Sequence, residues 1–188
     1  MTFELINAVV SVMTIIVIAV TAVAAMKQLR HLRASNQLTG LLKVLDLQQE
    51  PMFRESAHFV RTELAERMND PEFRAGLEVP APDLMAHKEL WLCGYFEQMG
   101  NYVKHDLIGE EAFLDQACDV VISYWQLLSP AIEVVRRTRG PSIFDNFEYL
   151  VSRAQSWVKR YPNGNYPPNV PRAALYTGEP LKQGPFTR

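Results

Sequence analysis

The sequence predicts an all-α protein in which one amino-terminal transmembrane helix continues into a cytosolic helical bundle and ends in an irregular, proline-rich tail. Three observations predict this. Leu5 to Met26 is the longest stretch of the chain without a charge. Lys27 to Tyr161 repeats apolar residues at spacings of three and four, with no sustained alternation of the kind a strand needs. Pro162 to Arg188 holds six of the twelve prolines and three of the nine glycines. The expected divisions are therefore an anchor over 1–26, a bundle domain over 27–161 and an extended or disordered tail over 162–188. The chain has 188 residues, 48% apolar and 21% charged, with 19 Lys and Arg against 21 Asp and Glu, which excludes collagen-like, supercharged and wholly disordered proteins. Two cysteines make no disulfide framework, and a bundle of this length has room for one domain.

The segment LINAVVSVMTIIVIAVTAVAAM, as a helix rising about 1.5 Å per residue, covers roughly 33 Å against a hydrocarbon core of about 30 Å. Its hydroxyl residues Ser11, Thr14 and Thr21 can return hydrogen bonds to the helix backbone. Only Glu4 precedes the span, whereas Lys27, Arg30 and Arg33 follow it and no acidic residue appears before Asp46. Positive charge next to a span is retained in the cytosol, so the amino terminus is expected outside and the bundle inside. A cleaved signal peptide is the rival, with Ala22 and Ala24 framing a cleavage site. It lacks the basic start, and its apolar run exceeds the usual length of about 7–15 residues.

Beyond the span, Leu29, Leu32, Leu38, Leu41, Leu42, Leu45 and Leu47 extend the helical pattern to Glu50, with Gly40 its weak point. A seven-residue repeat counted from Leu29 and Leu32 meets Asn36, Thr39, Lys43 and Asp46, so the stripe is expected to pack on the protein's own helices instead of a parallel coiled coil. Pro51 opens a second helix ending near Met68. Asn69, Asp70 and Pro71 cap a short turn through Phe73, and Val79 to Pro82 reads as a linker. A central helix is expected over Asp83 to His105, and another after Gly109, where Leu114, Ala117, Val121, Trp125 and Leu128 recur. Pro130 is expected to break or kink that helix, with Ala131 to Arg137 carrying on beyond it. Pro141 and Ser142 open the last helix, whose stripe is Ile143, Phe147, Leu150, Ala154 and Trp157. The expected aromatic core is Trp91, Phe96, Trp125, Phe147 and Trp157.

Chemistry is sparse. Glu55 and His58 share a helix side, but a di-iron bundle needs that pattern twice, so no metal site is expected. Glu97, Asn101 and His105, spaced four and four, form a possible polar column and, with Arg136, the best lining for an inter-helix ligand pocket. No nucleophile pairs with the column, so no catalytic residue is assigned and no cofactor is implied. Cys93 and Cys118 read as small core residues. Lys27, Arg30, Arg33, Arg137, Arg139, Lys159 and Arg160 are candidates for contact with anionic lipid headgroups, and no nucleic-acid module is present. Asp83 to Asp119 is acidic and Arg136 to Arg160 basic, which fits a partner surface, self-complementarity between protomers, or solvated helix faces.

The basic exit from the span, YFEQMGNYVKHDLIGEEAFLD, YWQLLSP, RRTRG and IFDNFEYLVSRAQSW together resemble a family of uncharacterised bacterial proteins with one amino-terminal span and a helical domain of unknown function. The resemblance implies a bacterial inner membrane and a bundle, and it implies no activity. The expected function is a non-enzymatic, membrane-tethered interaction or scaffold module whose partners are the bilayer and another protein or a second copy of the chain. The alternatives are a ligand sensor or enzyme using the Glu97–Arg136 pocket, or a membrane-acting toxin or defence effector.

Overall fold

The computed structural model describes residues 2–173, and seven helices and no strand occur among them. The first, α1, is a single helix of 48 residues over Thr2–Gln49, about 70 Å long at 1.5 Å per residue. Its two halves differ. Every residue from Phe3 to Arg33 is exposed, and Thr14 and Thr21 donate to the carbonyls of Val10 and Val17, at 2.9 and 2.8 Å. That half is long and apolar enough to cross a bilayer. The second half docks through Gln37, Gly40, Val44 and Leu47, spaced three, four and three on one side.

This docking face corrects the expected leucine stripe. Leu29, Leu32, Leu38 and Leu42 are all more than half exposed, and the side chains of Leu41 and Leu45 lie outside the described residues. The reason is close approach: a Cβ on Gly40 would stand 3.1 Å from the Leu107 carbonyl oxygen and 3.2 Å from Ile108, so the smallest residue chooses the face.

Next come α2 over Pro51–Thr62, α3 over Leu64–Arg67 and α4 over Pro71–Leu77. Pro51 begins α2 as expected, but the helix does not run on to Met68, because Glu63 (φ −124°, ψ −32°) interrupts it. Asp70 caps α4 by accepting from the Glu72 amide at 2.9 Å. That helix extends past Phe73 to Leu77, since both side chains are buried one turn apart.

The central helix α5, Glu89–Lys104, starts six residues later than expected. Asp83 folds the preceding segment into a turn by accepting from the Met85 amide at 2.9 Å and, through its carbonyl, from His87. Leu84 and Met85 are left on the surface as a result, and the exposed linker is longer than Val79–Pro82.

Helix α6, Glu110–Arg139, runs through Pro130 without a break. Pro130 is exposed, and the Gln126 carbonyl that it cannot satisfy accepts from the Ser129 hydroxyl at 3.4 Å. Although α6 is also long enough to span a membrane, Val121, Leu128, Ala131 and Ile132 are buried among its neighbours, as in the core helix of a bundle. Gly140, at φ +90°, ends it in a conformation that favours glycine.

The last helix, α7 over Asp145–Arg160, lies on α5 and α6 and starts later than Pro141 and Ser142 suggest, because residues 141–144 form a turn in which Phe144 takes a positive φ. Ile143 of the expected stripe is half-buried in that turn, while Phe147, Leu150, Ala154 and Trp157 are buried on the helix. At its centre Phe147 stacks on Phe96 with ring centroids 4.7 Å apart and takes the edge of Trp125 at 5.0 Å. The expected aromatic core holds for Phe96, Phe147 and Trp157 and for the partly buried Trp125. Trp91 is corrected: it is 45% exposed at the edge of α5. Residues 162–173 are irregular, with Tyr166 half-exposed beneath the Arg172 guanidinium, and the rest of the tail lies outside the described residues.

Candidate functional site

An open cleft of about 810 Å³ lies where the end of α1 meets α2 and α6. Val44, Phe53, Ala57 and Phe113 form its apolar base. Arg54, His58 and Arg61 rise from α2 on one wall, and Gln116, Asp119 and Ser123 from α6 on the other. Helical periodicity explains both walls, because on each helix the positions one step round from the buried stripe are polar. At its lip Val120 is 46% and Leu127 39% exposed. No hydrogen bond or ion pair joins α2 to α6 across the cleft among the described residues, so the opposing charges stand apart.

The expected pocket residues lie elsewhere, and two of the four converge. Glu97 accepts from the Asn146 side-chain amide at 2.7 Å and from the Phe147 backbone amide at 2.9 Å, so its carboxylate serves the positive amino-terminal end of α7. Arg136 grips the same connection from α6, donating to the Ile143 and Phe144 carbonyls at 2.9 and 3.4 Å and pairing with Glu148 at 2.8 Å. Asn101 on α5 and His105 just past its end are exposed, and no side-chain hydrogen bond links them to Glu97 or to each other.

The basic residues do not form one surface. Lys27, Arg30 and Arg33 project from the exposed half of α1, where Arg33 pairs with Asp106 and Gln37 donates to the same carboxylate at 3.1 Å. Arg160 lies beside Glu110 and Glu111 at the start of α6, one residue after Lys159. Arg137 and Arg139 stand at the other end of that helix, about 40 Å away, where Arg137 faces Glu133 at 3.1 Å and Glu78 at 3.9 Å. One ion pair joins the acidic and basic stretches of the sequence, where Arg153 of α7 donates to Glu110 at 2.6 and 3.0 Å.

Sequence reasoning missed a buried polar pair. His87 is 3% exposed and Glu89 fully buried, with His87 Nδ1 and Glu89 Oε1 2.9 Å apart. The imidazole is clamped between Phe73, whose ring centroid is 4.5 Å away, and Gly76, where a Cβ would come within 2.4 Å of Nε2. The second oxygen of Glu89 has no hydrogen-bond partner, and burial pushes this carboxyl above the usual carboxylate range despite His87 and Arg67 nearby. The only available signal was a His-x-Glu at the mouth of α5, and both residue types are mostly found on surfaces.

Cys93 is buried and Cys118 half-buried, and burial pushes both thiols up, which disfavours the reactive thiolate. The Tyr95 hydroxyl accepts from Gln48 at 2.9 Å and is pushed up to about 12 by burial. Glu55 pairs with Lys88 at 3.6 Å while His58 faces the cleft, and no group of three metal-ligating side chains occurs among the described residues.

A helical bundle joined to a long exposed apolar helix defines the class. The chain belongs to a family described only as a domain of unknown function (DUF4760), whose sequence profile matches residues 11–154. The match begins inside the apolar half of α1 and ends inside α7, so one family profile spans most of the apolar helix together with the bundle. No curated protein and no solved structure matches the chain.

Proposed function

We propose that this protein is a membrane-tethered helical interaction module, held at the cytosolic face of a bacterial inner membrane with its amino terminus outside. The observation that carries the reading is the division of α1. Its first half buries nothing and presents apolar side chains all round, the pattern expected of a helix solvated by lipid. Its second half is locked to the bundle by Gly40, Val44 and the bond from Gln48 to Tyr95. One uninterrupted helix therefore couples bilayer to bundle without a flexible linker, and Lys27, Arg30 and Arg33 follow the apolar stretch where basic residues favour the cytosolic side. Tethering raises the effective concentration of a surface toward other membrane-bound surfaces, which suits a binding role.

The ligand-pocket alternative draws no support from the expected residues, because Glu97 and Arg136 are engaged in holding α7. The test is membrane fractionation followed by purification in mild detergent. The reading expects the full chain to resist alkaline extraction from membranes and to elute with a stoichiometric protein partner, either another protein or a second copy. A chain released by alkali, or one that purifies alone as a monomer, contradicts it.

A further inference from the structure

The cleft between α2 and α6 carries opposite charges on its two walls. On α2, Arg54, His58 and Arg61 follow at spacings of four and three and so share one side. Arg54 has no acidic partner, and Arg61 donates only to the Ala57 carbonyl of its own helix, at 3.0 Å. On α6, Asp119 lines the cleft and Asp115, one turn before it, is exposed outside the lining; neither has a cationic partner. Between the two rows run the exposed side chains of Val120 and Leu127. Elsewhere on α6 and α7 ion pairs lie within the chain, Arg153 with Glu110, Arg136 with Glu148 and Arg137 with Glu133, while Glu111, Arg139, Asp145, Lys159 and Arg160 are unpaired among the described residues but flank no comparable apolar strip.

A surface with a basic wall, an apolar middle and an acidic wall is complementary to itself. A two-fold rotation that lays α2 of one copy against α6 of another makes the same contact twice, as closed homodimers do. We infer that this face binds a second copy of the chain, Arg54 and Arg61 of each copy meeting Asp115 and Asp119 of the other around a core built on Val120 and Leu127. The inference rests on the reading of the chain as a membrane-tethered interaction module. Two copies in one membrane share an orientation and meet side by side at raised concentration, and a two-fold axis along the membrane normal preserves that orientation. The apolar strip supplies the attraction and the charged rows set partner and register, since exposed ion pairs contribute little affinity by themselves.

The experiment uses the full chain in mild detergent, with mass read by light scattering, and two charge reversals at exposed positions. One variant carries Arg54→Glu and Arg61→Glu, the other Asp115→Lys and Asp119→Lys. The natural chain is expected as a dimer. Each variant alone is expected as a monomer, because like charges then face each other in both halves of the contact. The two variants co-expressed with different tags are expected to co-purify one to one as a dimer, because both halves again match. Circular dichroism checks that each variant keeps its helicity, and the single reversals Arg54→Glu and Asp119→Lys give the same exchange if a double reversal does not. Dimers that persist in each variant alone, or variants that fail to restore each other, overturn the inference. A monomeric natural chain bound to a different protein overturns the dimer and leaves the interaction reading standing, whereas a monomer bound to nothing removes both.

Discussion

The crossing of α5 with α7 and the cleft between α2 and α6 show two ways in which one bundle uses its helix faces. At the crossing, Gly100 lets the Asn146 backbone approach so closely that an added Cβ would stand 2.0 Å from its carbonyl oxygen. Polar groups bridge the two helices there, with Glu97 on the Asn146 and Phe147 amides and Lys104 on the Asn146 side chain at 3.0 Å. In the cleft, helices of the same chain stand apart, apolar side chains face water and charges are unpaired. The first region holds the fold together, and the second is free to do something else.

Substitutions should separate the two regions, and the largest effect belongs to the crossing. Phe147→Ala removes the fully buried ring that joins Phe96 to Trp125, and a loss of about 3–5 kcal/mol is expected in denaturant unfolding. Gly100→Ala forces α5 from α7 and should destabilise by about 1–3 kcal/mol or more, read as a lower melting temperature. Glu97→Ala leaves the first turn of α7 without its acceptor and should cost about 1–3 kcal/mol, with amide exchange at Phe147 accelerated first.

A smaller, pH-dependent effect belongs to Glu89, whose carboxyl is raised by burial in the presence of His87, Arg67 and Cys93. A carboxyl held above its unfolded value favours the folded state at low pH, and this contribution fades as pH rises through the raised value. Glu89→Gln should therefore flatten the decline of melting temperature above the ordinary carboxylate range, and an unchanged slope would show that Glu89 does not cause it. Least affected should be the cleft. Arg54→Ala and Asp119→Ala are expected to change the stability of the monomeric fold by no more than about 0.5 kcal/mol, and a larger loss would make that face structural.

The split between local and distant information explains what could be read from the sequence. The apolar half of α1, the cap at Asp70 and the buried stripe of α7 depend on neighbours within a few residues, and all were legible. Pro130 does not end α6, because the apolar pattern that resumes beyond it buries Ala131, Ile132, Val134 and Val135 and the Gln126 carbonyl left without an N–H donor accepts from the Ser129 hydroxyl. Trp91 misled because the apolar side of α5 is broad, and only the placement of α2 and α7 decides which part is covered. The roles of Glu97 and Arg136 were out of reach for a similar reason. Glu97 meets a backbone amide 50 residues away, and Arg136 meets carbonyls across a turn whose course depends on Gly140 and the positive φ of Phe144. The cleft is a gap between three helices, and no local pattern announces a gap.

The central claim is that α1 crosses the membrane uncut and leaves the bundle inside the cell. Protease added to intact spheroplasts, with the carboxyl-terminal region followed by an epitope tag, tests it most directly. The account predicts that the bundle survives until the spheroplasts are lysed. Digestion before lysis, or recovery of a soluble chain beginning near Ala25, would contradict it.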